Sequence, residues 1–185
     1  MHTNTYFIGV KGEKKMEKQD VIFDIETLTL DPLEEGARVV AIGVKCDGFQ
    51  KVLTADKEKD LLLKFWSLPF FKESFRLIGF NSFTFDLPYL LIRSFKYGIK
   101  VPDIRGKSVD LRFVLSYGNK FQNGKLNQYA SLFLNKESQK LSNGDNIKEL
   151  YEQNKIEFIE LYCGRDVYIT FKIFERLQNM GVIDG

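Results

Sequence analysis

The stretch Val21-Ile22-Phe23-Asp24-Ile25-Glu26 decides how the rest of the chain is read. β-Branched and aromatic residues dominate it, which is strand composition, despite the two carboxylates. Val21, Ile22, Phe23 and Ile25 make both faces of that strand mainly apolar, and a strand buried on both faces lies inside a sheet. Alternation puts residues i and i+2 on one face, about 7 Å apart, so Asp24 and Glu26 stand side by side. Two readings of the pair are open. One is a strand edge with a solvated acidic face. The other is a central strand whose carboxylates repel one another and lose hydration unless a cation compensates them.

Working outward, residues 38–45 and 49–54 are two more strand-like runs. They are joined through Asp47-Gly48, a step common in hairpins. Residues 57–68 carry leucines and aromatics at helical spacing, with Asp56 or Thr54 as the expected cap and Pro69 as the stop. Residues 76–80 (RLIGF) form a short buried strand, and Asp86-Leu87-Pro88 opens a helix to about Tyr97, with Gly98 after it. A second strand-to-helix passage is expected at 108–110, leading into 111–116. Residues 125–134 form another helix, 135–146 an Asn/Gly/Ser-rich loop, 146–153 a further helical region, and 156–179 a long closing helix ended by Gly181. Strands first, then strands separated by helices, predict an α/β domain with a mixed sheet. The pattern fits an RNase H-like architecture, three antiparallel strands continuing into parallel ones, with a flavodoxin-like sheet as the alternative.

Composition narrows the function classes. Of 185 residues, 44% are hydrophobic and 28% charged, a balance that excludes disorder and collagen-like order. A net charge of +2 neither announces nor excludes a nucleic-acid partner. Cys46 and Cys163 lack CxxC or Cys/His spacing, so neither a disulfide framework nor a structural zinc site is suggested, and both are expected as thiols in a reducing, cytoplasmic compartment. No apolar run approaches the roughly 20 residues of a membrane span. Residues 1–18 are polar, carry Lys11, Lys14, Lys15 and Lys18, and read as a solvated extension, with a start at Met16 also open; residues 19–185 read as one domain.

Two further carboxylates stand out. Asp86, in GFNSFTFDLPYL, has the position of a helix N-cap, and capping alone could explain it. Capping leaves Phe83 and Phe85 unexplained, large aromatics in a turn at the end of a strand, where open α/β sheets place ligands. Asp166 lies on the closing helix within the stripe Ile159, Tyr162, Cys163, Val167, Thr170, Phe171, Phe174 and Leu177, which faces the core. Its neighbours at helical spacing include no cation. It is therefore either rotated to the surface beside Arg165 or neutralised from elsewhere. Hard oxygen donors without a His or Cys cluster suit Mg²⁺ or Mn²⁺ rather than zinc. Two such ions among four carboxylates suit in-line phosphodiester hydrolysis.

These residues, in this order, resemble the DEDD superfamily of 3′–5′ exonucleases. FDIET is similar to its first motif, Asn81-x3-Phe85-Asp86 to its second, and Tyr162-x3-Asp166 to its third. GFNSFTFDLPYLLIR is especially similar to the proofreading exonuclease domain of family B DNA polymerases and its stand-alone relatives. The resemblance implies that Asp24, Glu26, Asp86 and Asp166 hold two Mg²⁺ or Mn²⁺ ions. Tyr162 would orient the attacking water, and Thr27, Leu28, Asn81 and Phe85 would touch the terminal nucleotide. In the histidine branch of the superfamily a His stands five positions before the last Asp. That position is Leu161, and the chain's one histidine is His2, so the resemblance is to the tyrosine (DEDDy) branch.

The activity expected is removal of nucleotides from the 3′ end of single-stranded DNA or RNA, with DNA favoured, in DNA repair for example. A polymerase or repair protein could then be a partner in trans, since 185 residues leave no room for a polymerase domain. Two other classes stay open, a nucleic-acid-binding module that has lost its chemistry and a structure-directed endonuclease with the same metal centre. Arg93, Lys107 and Lys125 are candidates for phosphate contacts, though isolated cations are usually solvated surface.

Overall fold

In a computed structural model of the protein, the described residues are 19–46, 48–72, 74–119, 124–134 and 146–184. The polar extension, Met16, residues 120–123 and most of the expected 135–146 loop lie outside them. Five strands, β1 (Gln19–Thr27), β2 (Val39–Cys46), β3 (Phe49–Leu53), β4 (Phe75–Gly79) and β5 (Ser108–Asp110), form one sheet in the order β3-β2-β1-β4-β5. β1 pairs antiparallel with β2, β2 antiparallel with β3, β1 parallel with β4, and β4 parallel with β5. This is the expected RNase H-like sheet, with β1 at its centre.

Helices α1 (Glu58–Trp66), α2 (Asp86–Lys96), α3 (Leu111–Leu115), α4 (Leu126–Phe133), α5 (Ile147–Glu152) and α6 (Ile156–Asn179) complete the order. They divide between the two faces of the sheet because β1 is apolar on both. Val21, Phe23 and Ile25 pack with Leu61, Leu62 and Phe65 of α1 and Leu87 and Leu90 of α2. Ile22 points the other way, into a core with Ala130 of α4 and Val167, Ile169 and Ile173 of α6. Each such buried side chain contributes about 1.5–3 kcal/mol relative to exposure. Parity then dictates that Asp24 and Glu26, in phase with Ile22, stand on the α6 side.

Two capping expectations change. α1 starts after Lys57 with no side-chain cap, and Thr54 instead donates its hydroxyl to Glu160 Oε1 at 2.8 Å. Asp86 is not an N-cap either: it is the first residue of α2, Phe85 precedes it without a capping bond, and its carboxylate reaches across to the Ile25 N–H of β1.

Candidate active site

The first carboxylate pair owes its setting to two local features of the sheet. Asp24 is paired across β1 and β2 with Gly43, and a Cβ at Gly43 would lie 2.5 Å from Val167 Cγ2 and 2.9 Å from Cys163 Sγ. Only a glycine lets α6 sit this close to the sheet, bringing the turn Cys163–Val167, with Asp166, over Asp24. Cys163 donates its thiol to the Asp24 carbonyl at 3.7 Å. Immediately after Glu26 the β1–β2 register shifts, so Glu26 faces Ala41 while Thr27 faces Val39. Such an irregularity re-aims the residues that follow it. Thr27 and Leu28 thereby line a groove of about 320 Å³ together with Glu26, Phe85, and Asn146, Ile147 and Lys148 of the α5 entry.

Asp86 joins the pair from the other side. Its Oδ1 accepts the Ile25 N–H at 3.2 Å, which ties the start of α2 to the middle of β1. The turn before it is held by Asp110. That buried carboxylate accepts the N–H groups of Asn81 (2.9 Å) and Phe83 (3.0 Å) in the turn, and of Arg112 (2.9 Å) and Phe113 (3.2 Å) at the start of α3. Asn81 has φ +62°, a left-handed conformation that a non-glycine residue holds only when its surroundings enforce it.

Burial and mutual repulsion shape the electrostatics. Enclosure pushes the Asp24 carboxyl well above the usual range, and Asp86, Glu26 and Asp166 push it further. Glu26 is raised to about 8, first by burial and then by Asp166 and Asp86. Asp86 is raised to about 7 by burial, against the pull of its own N–H and that of Ile25. Asp166 is raised by burial and partly relieved by Arg165. Among the described residues no ion pair reaches any of the four. Ligating atoms of Asp24, Glu26 and Cys163 lie within 4.8 Å of one another. Burial and the neighbouring acids keep the Cys163 thiol protonated, so the donors on offer are carboxylate oxygens, which fit a hard divalent cation such as Mg²⁺ or Mn²⁺.

The family model RNase_H_2, of the RNase_H superfamily, matches residues 21–178. The chain belongs to the RNase H superfamily. It is 32% identical over 174 residues to an uncharacterized protein of Methanocaldococcus jannaschii, covering 88% of this chain and 97% of that one. Its fold is similar to the family B DNA polymerase of the hyperthermophilic archaeon Pyrobaculum calidifontis, with a TM-score of 0.72 and 22% identity over 90% of this chain. The chain spans a quarter of that polymerase's length, 25%.

Within this RNase H superfamily domain, the residues singled out from sequence separate into groups. Asp24, Glu26, Asp86 and Asp166 converge, and Thr27, Leu28 and Phe85 line the adjoining groove. Asn81 caps the far end of the same turn, where its carbonyl accepts from Thr84. Tyr162 is half-buried on α6, one helical turn before Asp166, against Val40, Ala41, Ile159 and Cys163. Arg93 is a correction. It is buried, bound through both arms of its guanidinium to Glu58 at 2.6 and 2.9 Å, and so is not a phosphate contact. Lys107 lies over the Phe75 ring at 4.9 Å, and the Lys125 N–H donates to Gln128 at the head of α4. The sequence reading gave no site role to Gly43, Asp110 or Cys163. Gly43 and Asp110 act through partners far away in sequence, so no local pattern marks them, whereas Cys163 was visible as a member of the core-facing stripe.

Proposed function

We propose that this chain is a 3′–5′ exonuclease of single-stranded nucleic acid, with DNA favoured, belonging to the tyrosine branch of the DEDD enzymes. The observation that carries the reading is the convergence of Asp24, Glu26, Asp86 and Asp166 from a strand, a turn-to-helix junction and a helix, with no cation among the described residues paired to any of them. Four crowded carboxylates with no ion pair among the described residues destabilise the fold. They make sense as the holders of two Mg²⁺ or Mn²⁺ ions. When bound, those ions would supply charge neutralisation and Lewis acidity towards a phosphodiester. Superfamily membership supports a hydrolase acting on nucleic acid, and likeness in fold to a DNA polymerase supports DNA.

The chain's own residues divide the remaining work. Tyr162 stands one turn of α6 from Asp166 and orients the attacking water through its hydroxyl, its ring fixed by packing on Ile159 and Cys163. Phe85 stacks on the terminal base, a sequence-tolerant contact worth about 1–3 kcal/mol. Thr27 and Leu28 hold the terminal nucleotide from the groove, and Asn81 from the turn before α2. Residues 19–185 act as one domain, with a polymerase or a repair protein as its partner.

The test uses purified protein and end-labelled oligonucleotides with Mg²⁺, Mn²⁺ or EDTA. Stepwise loss from the 3′ end in either metal, stopped by EDTA, is the expected result. Inactivity of pure protein in both metals, or cutting that EDTA leaves untouched, overturns the proposal. A single-stranded circle separates the alternatives, because only an endonuclease opens it.

A further inference from the structure

Among the described residues, Phe23, Phe65, Phe70, Phe75, Phe80 and Phe174 are buried in the two cores. Phe83 and Phe113 are different. They are 42% and 54% exposed, yet they are paired, with ring centroids 6.0 Å apart and planes tilted by 52°. They come from different elements, the turn before α2 and the body of α3. One buried carboxylate joins them: Asp110, 3% exposed, accepts the Phe83 N–H through Oδ2 and the Phe113 N–H through Oδ1. The Phe113 ring is also supported from behind. Gly118, at φ +74°, has its α-carbon so near that a Cβ there would lie 3.2 Å from Phe113 Cζ, and its N–H donates to the Phe113 carbonyl at 2.9 Å.

We propose that the Phe83 and Phe113 rings form a stacking surface for a base upstream of the 3′-terminal nucleotide of a single strand, and that Asp110 is the positioning residue holding the rings together. This rests on the nuclease reading above. Phe83 lies two residues from Asn81 and two from Phe85, so the surface is continuous with the turn assigned to the terminal nucleotide, and a strand leaving that turn meets it next. Any base has a π-face, so two apolar rings grip a strand without reading its sequence. Their order before binding matters as much as their exposure. Rings fixed by backbone hydrogen bonds and by Gly118 lose little rotamer freedom when a base arrives.

The test is a length series of oligonucleotides, from two to ten nucleotides, digested in Mg²⁺ by wild type, Phe83→Leu, Phe113→Leu and Asp110→Asn. Loss of one stack raises KM by about 5- to 100-fold. The expected result is that rise with kcat retained, only for strands long enough to reach the rings. Asp110→Asn raises KM for the same strands, and adding Phe113→Leu to it costs little more, a non-additivity that a merely structural role does not produce. Phe95→Leu, which removes another exposed ring on α2 (66%), leaves KM unchanged. An unchanged KM at every length for both ring variants overturns the proposal. So does a change in sedimentation without one in KM, which assigns the surface to a protein partner or a second copy. A wild type that binds strands but releases no nucleotide overturns the nuclease reading alone, and anisotropy of labelled strands with the same variants then decides the surface. Failure to bind strands overturns both.

Discussion

Glu58 and the Asp24 cluster are both carboxylates taken out of water, on opposite faces of the same sheet, and the chain treats them in opposite ways. Glu58 is 4% exposed and fully answered: both guanidinium arms of Arg93, the Val39 N–H at 2.8 Å and the Tyr97 hydroxyl at 2.8 Å all point at it. Arg93 is answered in turn, donating also to the Pro32 carbonyl at 3.2 Å. Among the described residues Asp24, Glu26, Asp86 and Asp166 meet no ion pair: they face one another's like charge, Arg165 relieves Asp166 in part, and the bonds from Ile25 and Asp86 N–H relieve Asp86. A protein able to assemble one complete ion pair has left four acids incomplete on the other face of the same sheet. The lesson is about direction of cost: a buried charge with its partners is a structural fastening, and a buried charge without them costs stability and is driven towards its neutral form.

Four experiments break or sharpen that contrast. The largest effect is expected from Asp24→Ala, which should lower turnover by at least about 10³-fold, as removal of a group essential to metal catalysis does. Strand binding should largely survive, and the metal-free melting temperature should hold or rise as one repelling charge leaves. Near-normal turnover in this variant would show that the cluster is misassigned. Next is Glu58→Ala, the complementary cut, which strands Arg93 and should cost about 3–5 kcal/mol in urea unfolding. Activity per folded molecule should change little, and equal loss of stability and specific activity would mean that the two regions are not separate.

Tyr162→Phe comes third. It keeps the ring and removes the hydroxyl, so stability should be unchanged and kcat lower by about 10- to 1000-fold. Full activity would reduce Tyr162 to a core residue. The smallest effect is on stability against pH in EDTA. Below about pH 4 these carboxyls are protonated in both folded and unfolded chain. Between there and pH 8 the unfolded chain ionises them while the fold keeps protons on Asp86, raised to about 7, and Glu26, raised to about 8. The folded state then binds more protons, so stability falls as pH rises and the loss is complete above those values. Saturating Mg²⁺ should flatten the slope, and so should Asp24→Asn. A melting temperature that climbs from pH 5 to 8 in EDTA would contradict the crowding described here.

The strands and helices could be read from the chain because their patterns are local. The apolar run around Asp24 predicted a central strand, and β1 is central; the stripe from Ile159 to Leu177 predicted a core-facing helix, and Ile159, Cys163, Val167, Thr170, Phe174 and Leu177 are buried. Caps were read less well. Asp56 and Asp86 have the composition of helix starts, but a cap is decided by where a short side chain points, and Asp86 is drawn instead to the Ile25 N–H, 61 residues away in sequence. Arg93 misled for a similar reason. As an isolated cation in the sequence it was a candidate for phosphate, and only the packing of α2 against α1 shows that Glu58 already holds it.

By itself, the sequence determined the mixed sheet, the order of its elements and the identity of the acids, since periodicity, turn residues and motif spacing belong to neighbouring positions. Tertiary structure decided whether those acids meet. Gly43 lets α6 close on β1 because it has no Cβ, and Asp110 sets the turn carrying Asn81 and Phe83 by gathering backbone N–H groups from two elements. Neither residue has a feature of its own that marks it. A missing methyl and a satisfied carboxylate acquire meaning only from what is packed against them, and that is a property of distance in space rather than separation along the chain.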